Sequence, residues 1–162
     1  MSKPLDPDRY KLAAQNRKAR FDYHIVETFE AGLALTGTEV KSLRLGRAQI
    51  TESFATERGR ELYLYHAHIP EYHQAAKGQS HDPRRPRKLL LQKNQINKIM
   101  GGIRKDGMTA VPLDIHFNDR GIAKLTLGLA KGKQKADKRE TIKKREWERE
   151  KGRILKSNGR SD

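Results

Sequence analysis

The sequence predicts a mainly β (α+β) fold, a small antiparallel β-barrel with short flanking helices and a C-terminal tail that is disordered or conditionally helical. Three observations lead there. Between about residues 20 and 130, segments rich in aromatic and β-branched residues alternate apolar and polar positions, which is the period of a half-buried strand. Glycine-containing turns, Arg58-Gly59-Arg60 and Asn118-Asp119-Arg120-Gly121, join such segments into hairpins. Past residue 130 the apolar residues nearly stop: residues 131–162 hold 13 Lys and Arg against 6 Asp and Glu, and only Ala136, Ile142, Trp147, Ile154 and Leu155 are apolar. Too little can be buried there to offset the entropy of ordering the segment alone. The expected division is a flexible basic arm over residues 1–19, a barrel domain over 20–130 and a basic tail over 131–162.

Each element has its own reason. In "ARFDYHIVETFEAGLALTG", Phe21, Tyr23, Ile25 and Phe29 lie two or four apart and predict a strand, with Gly32 as a bulge or bend. "TGTEVKSLRLGR" predicts a short helix capped by Thr38, carrying Val40 and Leu43 on one face and stopped by Gly46. "ITESFATERGRELYLYHAHIP" predicts two strands around Gly59, ended by Pro70. The polar stretch from Glu71 to Lys88, with Gly78, Pro83, Pro86 and the cluster "PRRPRK", reads as a long surface loop. Ile96, Ile99, Met100 and Ile103, spaced i, i+3, i+4, i+7, mark an amphipathic helix. "MTAVPLDIHFNDRGIAKLTLGLA" closes the domain as a hairpin in which Leu125, Leu127 and Leu129 share one face and Lys124, Thr126 and Gly128 the other. About five or six strands in a core of this size favour a small barrel, which removes sheet edges. Barrels of the oligonucleotide-binding type present a basic sheet face to RNA.

The charge points the same way. The 162-residue chain carries a formal net charge of +15, and a pI near 10.2 calls for a polyanionic partner, nucleic acid first. Without cysteine there is no disulfide framework and no thiol nucleophile, which suits a cytoplasmic protein. The N-terminus has no apolar run of a signal peptide, and no stretch is long and apolar enough to span a membrane as a helix. His66, His68 and His73 cluster, but no carboxylate or cysteine completes a metal set, so neither metal nor cofactor is expected. No phosphate-binding loop and no nucleophile motif occurs, and an enzyme is the weaker hypothesis.

Two positions carry alternative readings. Glu30 is either a surface carboxylate paired with an arginine or an acceptor for the donor edge of an exposed base. Lys124 is either solvated or the start of a phosphate track continued by Lys131 and Lys133. In the tail, Glu140, Glu146, Glu148 and Glu150 each precede a Lys or Arg by three or four residues, which supports a helix by a few tenths of a kcal/mol per pair. On that helix Trp147 and Ile154 fall within about 20° of each other, flanked by Leu155. Such a sparse apolar stripe on a basic helix is a docking surface.

"NRKARFDYHIVETFEAGLALTGTEVKSLR", "DPRRPRKLLL", "GLAKGKQKADKR" and "IKKREWEREKGRILK" together resemble the small protein B family, the bacterial partners of transfer-messenger RNA. The resemblance runs from Asn16 to Lys156. It implies a nonenzymatic RNA-binding protein, expected as a monomer, which binds the tRNA-like domain of transfer-messenger RNA. With the elongation factor that carries aminoacyl-tRNA, the complex reaches stalled ribosomes, where the protein stands in for the anticodon arm. The tail then enters the small-subunit decoding centre and mRNA channel, and the nascent chain is tagged for degradation. The runner-up reading is a generic rRNA-binding or ribosome-associated protein. The RNA-binding set so implied is Asn16, Arg17, Lys18, Arg20, Tyr23, Glu30, Leu90, Lys124, Lys131, Gly132 and Lys133. The ribosome-binding set is Asp137, Lys138, Arg139, Trp147, Ile154 and Leu155. Ala136 and Asp22 depart from the residues that some members carry at those places.

Overall fold

The structure, a computed structural model, describes residues 11–133 and 135–158. In chain order the elements are β1 (Lys11–Gln15), α1 (Arg17–Asp22), β2 (Tyr23–Leu33), α2 (Gly37–Arg44), β3 (Phe54–Arg58), β4 (Glu61–Tyr65), β5 (Arg87–Leu90), α3 (Lys93–Asp106), β6 (Thr109–Phe117), β7 (Ala123–Gly132) and α4 (Lys135–Asn158). The seven strands pair antiparallel in the order β1-β6-β3-β4-β5-β2-β7, and β7 returns to β6, so six of them form a closed barrel. The seventh, β1, shares the edge of β6 with β3: β1 takes Asp114 to Phe117, while β3 meets β6 only at Ala55↔Ala110. Closure leaves few free sheet edges.

Period-two patterning fills the inside. Leu62, Leu64, Leu89, Ile115, Leu125 and Leu127 are fully buried, and Phe29, Ala31 and Ala110 pack among them. The helix α3 lays Ile96, Ile99 and Met100 against this core and ends at Gly107, whose φ of 61° lies in the left-handed region. A second, smaller core lies on the outside of the sheet. There Ala19 of α1 covers Val111, Leu113 and Ala130, with Tyr23 and Ile25 at its margin. Thus α1 covers one end of the outer wall formed by β2, β7 and β6.

Several expectations change. The described residues form seven strands rather than five or six: β1 lies in the arm expected to be flexible, and β5 in the polar stretch expected to be a loop. Residues 1–10 of that arm lie outside the described residues. Phe21 belongs to α1 and not to a strand, because Asn16 caps a helical turn there: its Oδ1 accepts from the Ala19 N–H at 3.2 Å. The cap of α2 is Thr36, one residue before the helix, and not Thr38; Thr36 and Glu39 form a reciprocal capping box. The expectation of a conditionally helical tail is unchanged: Lys135–Asn158 forms a helix, the conformation that its Glu–Lys and Glu–Arg spacing favours.

The largest correction concerns "PRRPRK". Its Arg87 is not a surface cation but is fully buried, as is Glu39, and the two are joined by a charge-assisted hydrogen bond from Arg87 Nε. Arg87 also donates to the carbonyls of Ala67 at 2.8 Å and Pro83 at 3.0 Å. Arg85 reaches the other oxygen of Glu39, which in turn accepts from the Thr36 N–H. Burial opposes ionisation of Glu39, but the hydrogen bonds from Thr36, Arg85 and Arg87 outweigh it and hold the carboxyl below its ordinary value of 4.5.

Glu39→Gln strands the Arg87 charge in the interior and is expected to cost about 3–5 kcal/mol at neutral pH, read from urea midpoints. Because the folded pKa is lowered, the stability that Glu39 contributes is complete above 4.5 and is lost as pH falls through the folded value. The gap between wild type and variant should therefore narrow toward low pH.

Candidate nucleic-acid interface

At the end of the outer wall that α1 leaves open, register brings distant residues together. Gly32 of β2 faces Lys124 of β7 on one side and Leu90 of β5 on the other. Strand spacing sets Lys124 and Leu90 roughly 10 Å apart across the glycine. A Cβ on Gly32 would lie 3.1 Å from the Leu90 Cβ, so this close approach of β2 and β5 suits a residue without a side chain. Around this floor stand Glu30, Glu61, Lys88, Leu91, Gln92 and Gln95, enclosing an open groove of about 600 Å³. Leu90 is 51% exposed in it, an apolar surface framed by charges of both signs.

Glu30 is held from behind. His116 Nε2 lies 3.3 Å from Glu30 Oε1, His116 Nδ1 lies 2.7 Å from Asp114 Oδ1, and Thr126 Oγ1 donates to the same Asp114 oxygen at 3.0 Å. The ring is buried while the Glu30 side chain stays 61% exposed, so the network aims the carboxylate without covering it. Glu30 is thus a surface carboxylate, and the side chain beside it is a histidine rather than an arginine.

The remaining residues of the expected RNA set lie elsewhere. Lys124 and Lys131 are seven residues apart, roughly 23 Å along β7, and period two turns them to opposite faces. Lys131 and Gly132 pair with His24 and Tyr23 at the α1 end, and the Lys133 N–H donates to Asp22 O at 2.8 Å. The single lysine track is therefore split between two patches. Arg17, Lys18 and Arg20 are exposed around α1, with Lys18 3.7 Å from Glu52. Asn16 beneath them is 4% exposed, and its amide donates to Pro112 O at 3.0 Å and Ile50 O at 3.4 Å. Its side chain is occupied by the fold and positions α1.

The tail leaves from this second patch. Lys138 bonds Asp22 at 3.2 Å, and Lys138 and Arg145 lie 5.8 and 5.7 Å from the Phe21 ring centroid. Lys133 Nζ donates to Thr141 Oγ1 at 2.7 Å. Arg139 is exposed, and the side chain of Asp137 lies outside the described residues. Trp147, Ile154 and Leu155 are 63%, 54% and 65% exposed among the described residues. Among the described residues no three His, Cys, Asp or Glu side chains converge as a metal site, and no helix is long and apolar enough to cross a membrane.

Sequence reasoning missed His116, Asp114, Lys88, Glu61, Gln92 and Gln95. The first two had a signal, since "LDIHF" places them on the polar face of a strand beside Lys124 and Thr126.

A family model described as SmpB protein matches residues 13–157. The chain belongs to the SmpB family. Two relatives named SsrA-binding protein illustrate the kinship. That of Rhodopseudomonas palustris (strain HaA2) is 61% identical over 149 residues, covering 92% of this chain and 94% of the relative. That of Agrobacterium fabrum (strain C58 / ATCC 33970) is 59% identical over 148 residues, covering 91% and 92%. A solved structure described as "tmRNA-SmpB: a journey to the center of the bacterial ribosome" is 49% identical, with a TM-score of 0.63 over 79% of this chain and 92% of that one. Within the SmpB family fold, the expected RNA contacts fall on two surfaces, the groove with charges of both signs and the basic α1 patch.

His116→Ala removes the ring between two carboxylates and leaves Asp114 short of a partner. It is expected to lower stability by about 1–3 kcal/mol in urea denaturation, and Asp114→Asn with His116 retained should cost less.

Proposed function

We propose that this chain is a nonenzymatic RNA-binding factor of ribosome rescue, which holds the tRNA-like domain of transfer-messenger RNA on its barrel and uses its tail on the stalled ribosome. The observation that carries the reading is the meeting of Glu30, Leu90 and Lys124 over Gly32 in one open groove. The three groups divide the work of RNA recognition. A lysine neutralises phosphate, a carboxylate accepts from a base edge that cations cannot read, and an exposed leucine packs on an unstacked base or sugar. Membership of the family supports the choice of RNA, since its relatives are named SsrA-binding proteins and the solved neighbour is described with tmRNA and the bacterial ribosome.

In this reading residues 20–130 bind RNA and residues 131–162 act at the decoding centre and mRNA channel. Arg17, Lys18, Arg20, Tyr23, Lys131, Gly132 and Lys133 extend the RNA contact at the α1 patch, and Asp137, Lys138 and Arg139 direct the tail from its root. The exposed Trp147, Ile154 and Leu155 dock on the ribosome, which orders the helix fully. The elongation factor carrying aminoacyl-tRNA joins through the RNA, and the protein works in the cytoplasm as a monomer without cofactor.

Competition titrations at matched salt test the reading. A generic rRNA binder would hold unrelated structured RNAs as tightly, whereas a dedicated factor should prefer the tRNA-like domain by orders of magnitude. Lys124→Ala should weaken binding and lower the slope of log affinity against log salt by about 1. Deletion after Lys133 should leave binding to transfer-messenger RNA intact while abolishing tagging in a reconstituted stalled-ribosome assay. Equal loss of both would overturn the division of labour.

A further inference from the structure

The groove does not end at β5. On β4 the outward residues are Glu61, Tyr63 and Tyr65, and on β3 they are Phe54, Thr56 and Arg58, with Leu62, Leu64 and Ala55 turned into the core. Tyr63 pairs with Lys88 of β5, whose ammonium lies 3.9 Å from Glu61, and both Lys88 and Glu61 line the groove. Next to Tyr63, Tyr65 and Phe54 stack with centroids 5.8 Å apart and planes 20° from parallel. Phe54 in turn lines a cavity of about 210 Å³ that also includes Lys18 and Tyr23 of the α1 patch. The three rings are only half-buried. They lie on one face of β3 and β4, between the two surfaces described above.

We infer that Phe54, Tyr63 and Tyr65 are a stacking track for unpaired RNA bases that joins the groove to the α1 patch. Cations bracket the rings as a nucleic-acid surface requires. The Arg58 guanidinium lies 5.5 Å from the Tyr63 ring centroid, and Lys88 stands on the adjoining strand. A ring face accepts any base, while flanking cations follow the phosphates, which is how barrel sheets hold single strands. A protein partner of the same face would meet these charges beside the aromatic surface and would have to neutralise or desolvate them. His66 sharpens the edge of the track. Its backbone sits at φ 65°, in the left-handed region, and its ring meets Phe54 edge-on at 5.2 Å, which closes the Phe54 end of the stack.

The inference rests on the RNA-binding reading above, and the experiment separates the two. The full-length chain is titrated with the tRNA-like domain of transfer-messenger RNA and with an unrelated structured RNA, as wild type and as Tyr63→Leu, Tyr65→Leu and the corresponding Phe variants. Leucine keeps an apolar strand residue and removes the ring, and phenylalanine keeps the ring. The expected result is a loss of about tenfold or more for each Leu variant, with the Phe variants near wild type and the salt slope unchanged. Melting curves identify variants that fail to fold, and for these the Phe variant paired with Arg58→Ala replaces the comparison, with a loss again expected. Leu variants that fold and bind like wild type would overturn the track while leaving the RNA-binding reading intact. So would loss of ribosome-dependent tagging with RNA affinity unchanged, which would assign the face to another partner. Equal wild-type affinity for both RNAs would instead overturn the reading on which the track rests.

Discussion

Glu39 and Arg87 set the conditions for the rest of the molecule. Two opposite charges with no exposed surface are tolerated only because each hydrogen bond they need is made, by Thr36 and Arg85 on the acid side and by backbone carbonyls on the basic side. Satisfying them ties four stretches together: α2, the segment after β4, the 81–85 turn and β5. That tie places β5. The chain from Glu71 to Arg87 has little apolar content to hold it against the barrel, and β5 itself pairs over a short stretch, with Gly32 and Leu33 of β2 and with Leu62, Tyr63 and Leu64 of β4. Since Lys88 and Leu90 reach the groove from β5, a buried ion pair in the interior determines which residues the outer surface can offer to RNA.

The outer wall follows from parity. Once Leu89 is fixed inward, Lys88 and Leu90 must point out; once Leu125 and Leu127 are inward, Lys124 and Thr126 must point out. The same rule turns Tyr63 and Tyr65 outward and prevents Lys131 from sharing a face with Lys124. Surface chemistry on this barrel is therefore a consequence of core packing, and a register slip that spared stability would still destroy the groove.

The denaturation experiments on Glu39→Gln and the RNA titrations on Lys124→Ala address features of very different legibility. The hairpins, α3 with its Ile96, Ile99 and Met100 stripe, and the closing β6–β7 pair were readable because local patterning and tertiary burial agree there. The strand β5 was not, because its first residue is an arginine that directly follows a proline, and its burial depends on an acid 48 positions earlier. No local period records such a partner. Asn16 shows the opposite case: the family resemblance places it in the RNA-binding set, and no local pattern records that its amide bridges α1, Ile50 and Pro112. At the groove, Glu30 and Lys124 could be named, but the adjacency of Leu90 across Gly32 depends on barrel closure. Residue type was legible there, and convergence was not.

The tail obeys a different logic from the barrel. Its helix buries little, and among the described residues it is anchored to the body at the root, through Lys138, Thr141 and Arg145 near Asp22, Lys133 and Phe21. Charge pairs at i+3 and i+4 supply a few tenths of a kcal/mol each, enough to bias the backbone toward helix but not to hold an isolated helix against its entropy. An exposed tryptophan adds little to such a helix and increases its tendency to aggregate, and Trp147 is not buried among the described residues. Its position one helical repeat before Ile154 makes sense only if a surface elsewhere covers both. The binding energy of that surface would then complete the folding that the charge pairs begin, so docking strength and helix order should rise together along the tail.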